Sequence, residues 1–301
     1  MPGANVFPPA PPTVANGVIT IEQWLAQPAR VQRTIQDLTL ERFLADRIFS
    51  RGPAATGGAV IFDQVVANDL YASRDIQAIE PGSEFPIVDT GDTSPLVAKT
   101  TKWGGAALLT YEERDRDRRD QLNRKLVRIR NTIIRKVDAV AIAALRAAPI
   151  LTATASASWA TSTTDIFKDV AAAKKTVAAL DLGYEVDTAL ISPTTALNMV
   201  TNDKLLSRLP RENGNGAPNP LITGELTGVS GIRDWYVTNR VTDDEVILLQ
   251  GRTAGSISDE KPLYSRVVDQ QEKERILIMA ARLTVPYVTD PKSVIRITGV
   301  Q

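Results

Sequence analysis

Between Leu122 and Ala144 the residues Leu122, Leu126, Ile129, Ile133, Val137, Val140 and Ala144 recur at steps of four, three, four, four, three and four. That is the period of one helix face. Upstream, Thr110 followed by Glu113 matches the S/T-x-x-E pattern in which a hydroxyl and a carboxylate satisfy the amides left open at a helix start. Glu112, Glu113, Asp115 and Asp117 suit the positive end of the helix dipole. Pro149 stops the run. The spacing predicts one helix over residues 111–148, about 38 residues and on the order of 57 Å long. A chain with such a rod folds around a spine longer than many small domains are wide.

Residues 79–109 precede the rod as an extended excursion. It opens at Pro81-Gly82, turns around Asp89-Thr90-Gly91-Asp92 and returns through Leu96, Val97 and Ala98 to Trp103-Gly104-Gly105. Two β-prone arms about a Gly/Asp turn read as a hairpin. Two strands alone bury too little to be stable, so the hairpin is expected to lie on a neighbour.

Composition narrows the function. The chain has 301 residues, 43% hydrophobic and 23% charged, enough for a sizeable core in one or two domains. It contains no cysteine and no histidine. That removes disulfides, thiolate nucleophiles, Ser-His-Asp and Cys-His catalysis, and the common zinc ligand sets. It also fits assembly in a reducing cytoplasm. Lys plus Arg equals Asp plus Glu at 35 each, so no global field draws the chain to nucleic acid or an anionic membrane. The same balance suits a wall around dense DNA, where strong basicity would trap the polymer. The first 17 residues lack a basic segment followed by an apolar core, and no apolar run approaches the roughly 18 residues needed to cross a bilayer.

The remaining segments divide as follows. Residues 1–17, rich in Pro, Gly and Ala, read as an extended arm. Residues 19–51 carry a mostly helical rhythm interrupted by Pro28, and 59–71 a strand or short helix around Val60-Ile61-Phe62. Residues 151–164 read as a connector. Residues 165–180 form an amphipathic helix with Gly183 as its left-handed stop. Thr188–Ile191 is a strand, and Ser192-Pro193 then starts a helix to about Val200. The segment RENGNGAPNP is an exposed loop. Strands are expected at 228–241, with Trp235, Tyr236 and Val237 buried, and at 245–249, 266–269, 275–281 and 293–298.

Chemistry-bearing motifs are few. No phosphate-cradling glycine loop occurs, and Gly57-Gly58, Gly104-Gly105 and Gly214-Asn215-Gly216 read as turns or close strand contacts. The run Glu112–Asp120 holds five acids and four arginines. Helical spacing pairs Glu112 with Arg116 and Asp115 with Arg119, and sets Arg114 beside Arg118, as on a solvated or inter-subunit face. Arg124, Lys125, Arg128, Arg130, Arg135 and Lys136 make the middle of the rod basic without interleaved aromatics. That suits a solvated face, or weak contact with nucleic acid or acidic segments, and not base stacking. Lys99 and Lys102 could act as nucleophiles in covalent cross-linking if buried beside a carboxylate and an asparagine. No asparagine follows Asn239 to serve as acceptor in the closing strands.

The order of these parts resembles a known family. The hairpin ending in WGGAALLTYEE, the spine, a compact α/β unit containing ALISPTTALNMV, the GVSGIRDWYVTNRV strand and the closing LTVPYVTDPKSVIRITGV are similar to the major capsid proteins of tailed double-stranded DNA bacteriophages. This is the Hong Kong phage capsid fold, which encapsulins share. The resemblance covers essentially the whole chain and rests on order and spacing rather than on a signature motif. It implies an α+β protein: arm and helix at 1–50, lead-in at 51–78, extended loop at 79–109, and spine helix of a peripheral domain at 110–150. An axial domain at 151–262 and peripheral strands at 263–301 complete it.

It further implies a structural, non-enzymatic role in the virion, without cofactor or metal: hexamers and pentamers closing an icosahedral shell around the genome. Inter-subunit contacts are expected from Trp24 of the arm and from Phe85, Pro86, Ile87, Lys99, Lys102 and Trp103 of the loop. Glu112, Arg114, Arg116, Arg118 and Arg119 at the head of the spine would add to them. Expected partners are copies of the chain, a portal, a decoration protein and packaged double-stranded DNA touched without sequence preference, with no membrane. Only about 78 residues precede the hairpin, which favours a separate scaffolding protein over a built-in scaffolding segment. An encapsulin-like nanocompartment and a carboxylate-only α/β enzyme drawing acids from 151–262 are the alternatives.

Overall fold

The computed structural model describes residues 43–65, 95–116, 118–208 and 229–301, together with positions 21, 25, 33, 78, 79, 81, 82 and 85. The fold is α+β and separates into two compact units. The first takes in Met1–Phe43, Lys102–Lys136 and Lys261–Leu283; the second takes in Leu44–Thr101, Val137–Glu260 and Thr284–Gln301.

Helix α1 (Ala45–Ile48) and strands β1 (Ser50–Arg51), β2 (Ala59–Phe62), β3 (Leu96–Lys99) and β4 (Thr101–Thr110) come first. Helices α2 (Tyr111–Asp115) and α3 (Arg119–Ala147) follow, then β5 (Leu151–Thr154), α4 (Ile166–Ala178), β6 (Thr188–Ile191), α5 (Pro193–Val200) and α6 (Asp203–Arg208). Strands β7 (Asp234–Val237), β8 (Glu245–Leu249), β9 (Ser256–Gln270), β10 (Arg275–Tyr287) and β11 (Val294–Thr298) complete the described elements.

In the first unit the apolar face of α3 is buried at Leu122, Leu126 and Ile133, with Ala107 and Leu109 of β4 and Ile276 and Ile278 of β10 also buried. Strand order β1-β9-β10-β4 leaves β4 at a sheet edge. The buried Arg282 side chain sets its guanidinium 4.8 Å above the Phe43 ring, a cation–π contact that offsets part of its desolvation.

The second unit is built on a five-stranded sheet of order β5-β11-β8-β6-β7. Every residue of β6 and β8 is buried, as central strands covered on both faces require. Trp159, Ile166, Val170, Ala173, Val177 and Met199 pack with Ile191, Leu248 and Ile295 of the sheet. Trp159 is fully buried and donates from Nε1 to Asp169 Oδ2 at 2.9 Å, while Ser156 N donates to the other carboxylate oxygen at 3.2 Å. Glu245, buried within β8, accepts from Arg146 and lies 4.0 Å from Arg296.

Helix α1 lacks a cap from its own N-cap residue, Leu44. Asp138, one of the buried residues of α3, supplies it: Ala45 N donates to Asp138 Oδ1 at 3.0 Å. Desolvation pushes the Asp138 carboxyl up from 3.8 to about 6, against the lowering effect of the Ala45 and Leu44 amides; Asp46 adds to the rise and Arg240 opposes it. Because the folded value exceeds the unfolded one, the stability this group contributes is fully present below about pH 4 and is lost as pH rises through about 6. Relative to Asp138→Asn, the unassembled native chain should therefore lose on the order of 2–3 kcal/mol between those limits. Denaturant unfolding across that interval checks this, and a difference between the two proteins that stays flat with pH rejects it.

The structure corrects several expectations. The rod is interrupted: α2 ends at Asp115, Arg116 leaves the helix at φ −85 and ψ 5, and α3 restarts at Arg119 with 29 residues, about 43 Å. The break separates Arg114 from Arg118, and it also forgoes the Glu112–Arg116 and Asp115–Arg119 pairs that an unbroken helix would make. The returning arm of the excursion, β3, pairs antiparallel with β2, so the excursion is rooted at residues 59–62, upstream of Ile79. The connector at 151–164 begins as β5, which extends the sheet beside β11. Residues 263–301 do not stay together, because β11 joins that same sheet between β5 and β8. Val237 is 52% exposed on the edge strand β7 and is not core, whereas Trp235 and Tyr236 are half-buried and Trp235 packs against the core cluster. Helix α4 is capped by Asp165 and closes at Ala179 in the right-handed region, with Asp181 and Gly183 turning left-handed only beyond it. The RENGNGAPNP segment lies outside the described residues.

Candidate assembly surfaces

The β2–β3 ribbon turns its apolar side chains outward. Thr56 bridges Ala59 across Gly57 and Gly58, at φ 70 and 82. Two successive left-handed residues form the tight reversal whose twist suits a ribbon, and only glycine takes both without strain. In the β2–β3 register Val60 faces Ala98 and Ile61 faces Val97. Directly opposed residues share a face, so one side is committed to a small core of Ala55, Val60, Val285 and Tyr287, with Phe62 tilted 4.7 Å from the Tyr287 ring. The other side presents Ile61 at 72% and Val97 at 58% exposure. These two side chains take no part in the subunit's own apolar clusters among the described residues, which makes this face a candidate contact surface.

A second surface lies along the edge strand β4. Trp103, Gly104, Gly105 and Ala106 line a hollow of about 370 Å³ with Arg128, Ile129, Thr132, Ile133 and Lys136 of α3. Gly104 is required by packing: a Cβ there would come within 2.6 Å of both Ala280 O and Ala281 Cβ. Trp103 Nε1 is buried and finds no acceptor among the described residues, while Lys136 Nζ stands 4.8 Å over its ring. An edge strand with a bare stretch of backbone and an unmatched donor is open to pairing with another chain.

At the head of the spine Thr110 and Glu113 form the capping box in full. The Lys125 ammonium donates to Glu113 Oε2 at 2.6 Å and to Leu108 O at 2.8 Å, and this bond holds the Glu113 carboxyl below its usual range. Tyr111 Oη donates to Asp269 at 2.6 Å, and Arg114 stacks 4.4 Å from the Tyr111 ring while bonding Asp115. Glu112, Arg116 and Arg118 are exposed, and the Arg119 side chain lies outside the described residues. Glu112 and Arg116 meet only through the backbone bond Arg116 N to Glu112 O, because α2 is too short for the i, i+4 pairing expected of a longer helix.

Among the other predicted contact residues, Phe85 is 81% exposed, whereas Trp24, Pro86 and Ile87 lie outside the described residues. Lys99 is exposed, as is Lys102, whose ammonium stands 5.9 Å from the Tyr264 ring. Neither lysine is buried beside a carboxylate and an asparagine, the setting a cross-linking nucleophile was expected to have. Sequence reasoning did not single out Ile61 and Val97 as exposed apolar side chains. Their signal was the alternation through Ala59–Phe62 and Leu96–Lys99, which sets one apolar residue of each strand on the face away from the core.

Among the described residues no group of three or more acidic side chains is placed to hold a metal, and no helix is long and apolar enough to cross a membrane.

No curated protein matches the chain significantly. Three solved structures with a similar fold are the capsid of cyanophage P-SCSP1u, a Mycobacterium phage Che8 structure, and a virus-like particle from Pyrococcus furiosus. The cyanophage capsid is 15% identical with a TM-score of 0.62, over 87% of this chain and 93% of that one. The Che8 structure is 13% identical with a TM-score of 0.57, over 98% of each chain. The virus-like particle is 11% identical with a TM-score of 0.57, over 89% of this chain and 98% of that one. A family model described as phage capsid protein matches residues 93–297, from the returning arm of the excursion through the last strand. With that match over most of its length, the chain belongs to the phage capsid protein family.

Proposed function

We propose that this protein is the major subunit of an icosahedral phage head, assembling as hexamers and pentamers into a shell that encloses double-stranded DNA. The observation that carries the reading is the outward-facing Ile61–Val97 pair at the root of the excursion, in a chain of a capsid family. Apolar surface of this kind is covered only when copies meet, and each copy both gives and receives contacts, so association is multivalent. The unit holding the five-stranded sheet would act as the axial domain and the unit holding the first stretch of α3 as the peripheral one. The excursion, with exposed Phe85, would lie over a neighbouring subunit, and the Trp103 hollow on edge strand β4 is the receiving surface we favour. A portal, a scaffolding protein and a decoration protein fit this role as partners, and assembly would take place in the bacterial host cytoplasm.

Light scattering and electron microscopy of the purified protein, co-expressed with the neighbouring head genes, test the reading. Closed particles of uniform size that protect genome-length DNA from nuclease are expected; a lone monomer of about the formula weight would overturn it. The fold likeness to a virus-like particle supports a second reading, a nanocompartment shell. Closed particles that protect no DNA would select that one.

A further inference from the structure

We infer that one exposed face of α3 is the surface through which the shell contacts the phosphates of packaged double-stranded DNA; the inference rests on the shell reading above. Between Asp120 and Asp138 the helix carries six basic residues and no acidic one, although the whole chain is charge-balanced. At about 100° per residue, Arg124, Arg128, Asn131 and Arg135 fall within about 60° of arc. All four are exposed, as are Thr132 and Lys136 on the flank. Lys125 is taken up by Glu113, and Arg130 bonds the Asn131 side chain at 2.8 Å. By contrast, no ion pair engages Arg124, Arg128 or Arg135 among the described residues.

The chemistry of this stripe fits a phosphate backbone. Its guanidinium groups are spaced about 6 and 10 Å along the axis, so each can meet a different phosphate on a duplex that carries a charge every ~1.7 Å. The side-chain NH2 of Asn131, whose oxygen accepts from Arg130, is a further donor for a phosphate, whereas the Thr132 hydroxyl is spent on Arg128 O at 2.8 Å. Residues 121–137 contain no aromatic residue, so nothing stacks bases and contact is independent of sequence. Arg128 also borders the Trp103 hollow, whereas Arg124, Asn131 and Arg135 lie outside its lining, so most of the stripe is separate from the surface proposed to receive a neighbouring subunit.

The test compares full-length, unassembled protein with a triple variant, Arg124→Gln/Arg128→Gln/Arg135→Gln. Binding to a short random-sequence duplex is followed by fluorescence anisotropy between about 50 and 200 mM salt. Removing three phosphate contacts should flatten the slope of log affinity against log salt by about 2 to 3. The corresponding Arg→Lys triple should keep the wild-type slope. So should Lys168→Gln/Lys175→Gln/Lys204→Gln, which removes equal charge from exposed helix positions in the other unit. Circular dichroism establishes that each variant is folded. An unchanged slope in the glutamine triple overturns the inference, and so does an equal loss in the control triple, which would make the effect one of net charge. Loss of particle formation in the glutamine triple with duplex binding intact would make the stripe a subunit contact and likewise overturn it. Wild-type particle formation is scored separately, so failure of the shell reading is distinguishable from failure of this one.

Discussion

A chain carrying Ile61→Asp and Val97→Asp should fold normally and remain as free subunits. Both side chains stand on the solvent face of the β2–β3 ribbon, outside the Val60–Tyr287 cluster, so the subunit's own core loses nothing. In a contact with a second copy the loss is large. Covering an Ile or Val side chain contributes about 1.5–3 kcal/mol, and an unpaired carboxylate placed there instead costs several more. At about 1.4 kcal/mol per tenfold, each contact weakens by at least a thousandfold, and a lattice repeats that loss at every subunit. Sedimentation and negative-stain microscopy should show no closed particles, whereas Lys168→Asp, an exposed helix position in the same unit, should assemble as wild type. Regular shells from the double variant would show that the ribbon is not a contact.

Replacing Trp159 with alanine should cost about 3–5 kcal/mol of subunit stability, the range for truncating a buried indole. The side chain is fully buried beneath α4, and its removal also strips Asp169 of its 2.9 Å donor. The buried Asp169 carboxylate would keep the 3.2 Å hydrogen bond from Ser156 N. Trp159→Phe separates the two effects. It keeps most of the apolar volume and should cost about 1–3 kcal/mol, the penalty for an unsatisfied buried polar group. Denaturant unfolding of unassembled subunits measures both. A cost below about 1 kcal/mol for alanine would mean that the indole does not anchor this core.

What the sequence made legible was set by neighbours along the chain. The Thr110–Glu113 box and the Ser192 cap with Pro193 behind it each depend on a hydroxyl meeting an amide three residues on, and both are present; the Asp165 cap works the same way but was read as part of the helix. The stripe from Leu122 to Val137 was readable because helical period alone places it. Partners distant in sequence were not readable. Nothing in Leu151–Thr154 says that it runs parallel to Ile295–Thr298, nor anything in Leu96–Lys99 that its partner is Ala59–Phe62 and not the nearer arm. Val237 looked like core because β-branched residues in strands usually are; its place at the end of an edge strand decided otherwise. The exposed apolar face of the β2–β3 ribbon was the least legible. Ile61 carries the composition of core and the geometry of a surface, and only the register separates the two.

The carboxylate that caps α1 from the flank of α3 gives the particle a chemical signature. A polypeptide without histidine has almost no buffering capacity between its acids and its amines, and Asp138 lies in that empty interval at about 6. Native subunits titrated from neutral toward mild acid should take up close to one proton each there. In a closed head every copy repeats the same residue, so Asp138→Asn should remove that uptake from the whole particle, and a titration of variant against native heads checks it.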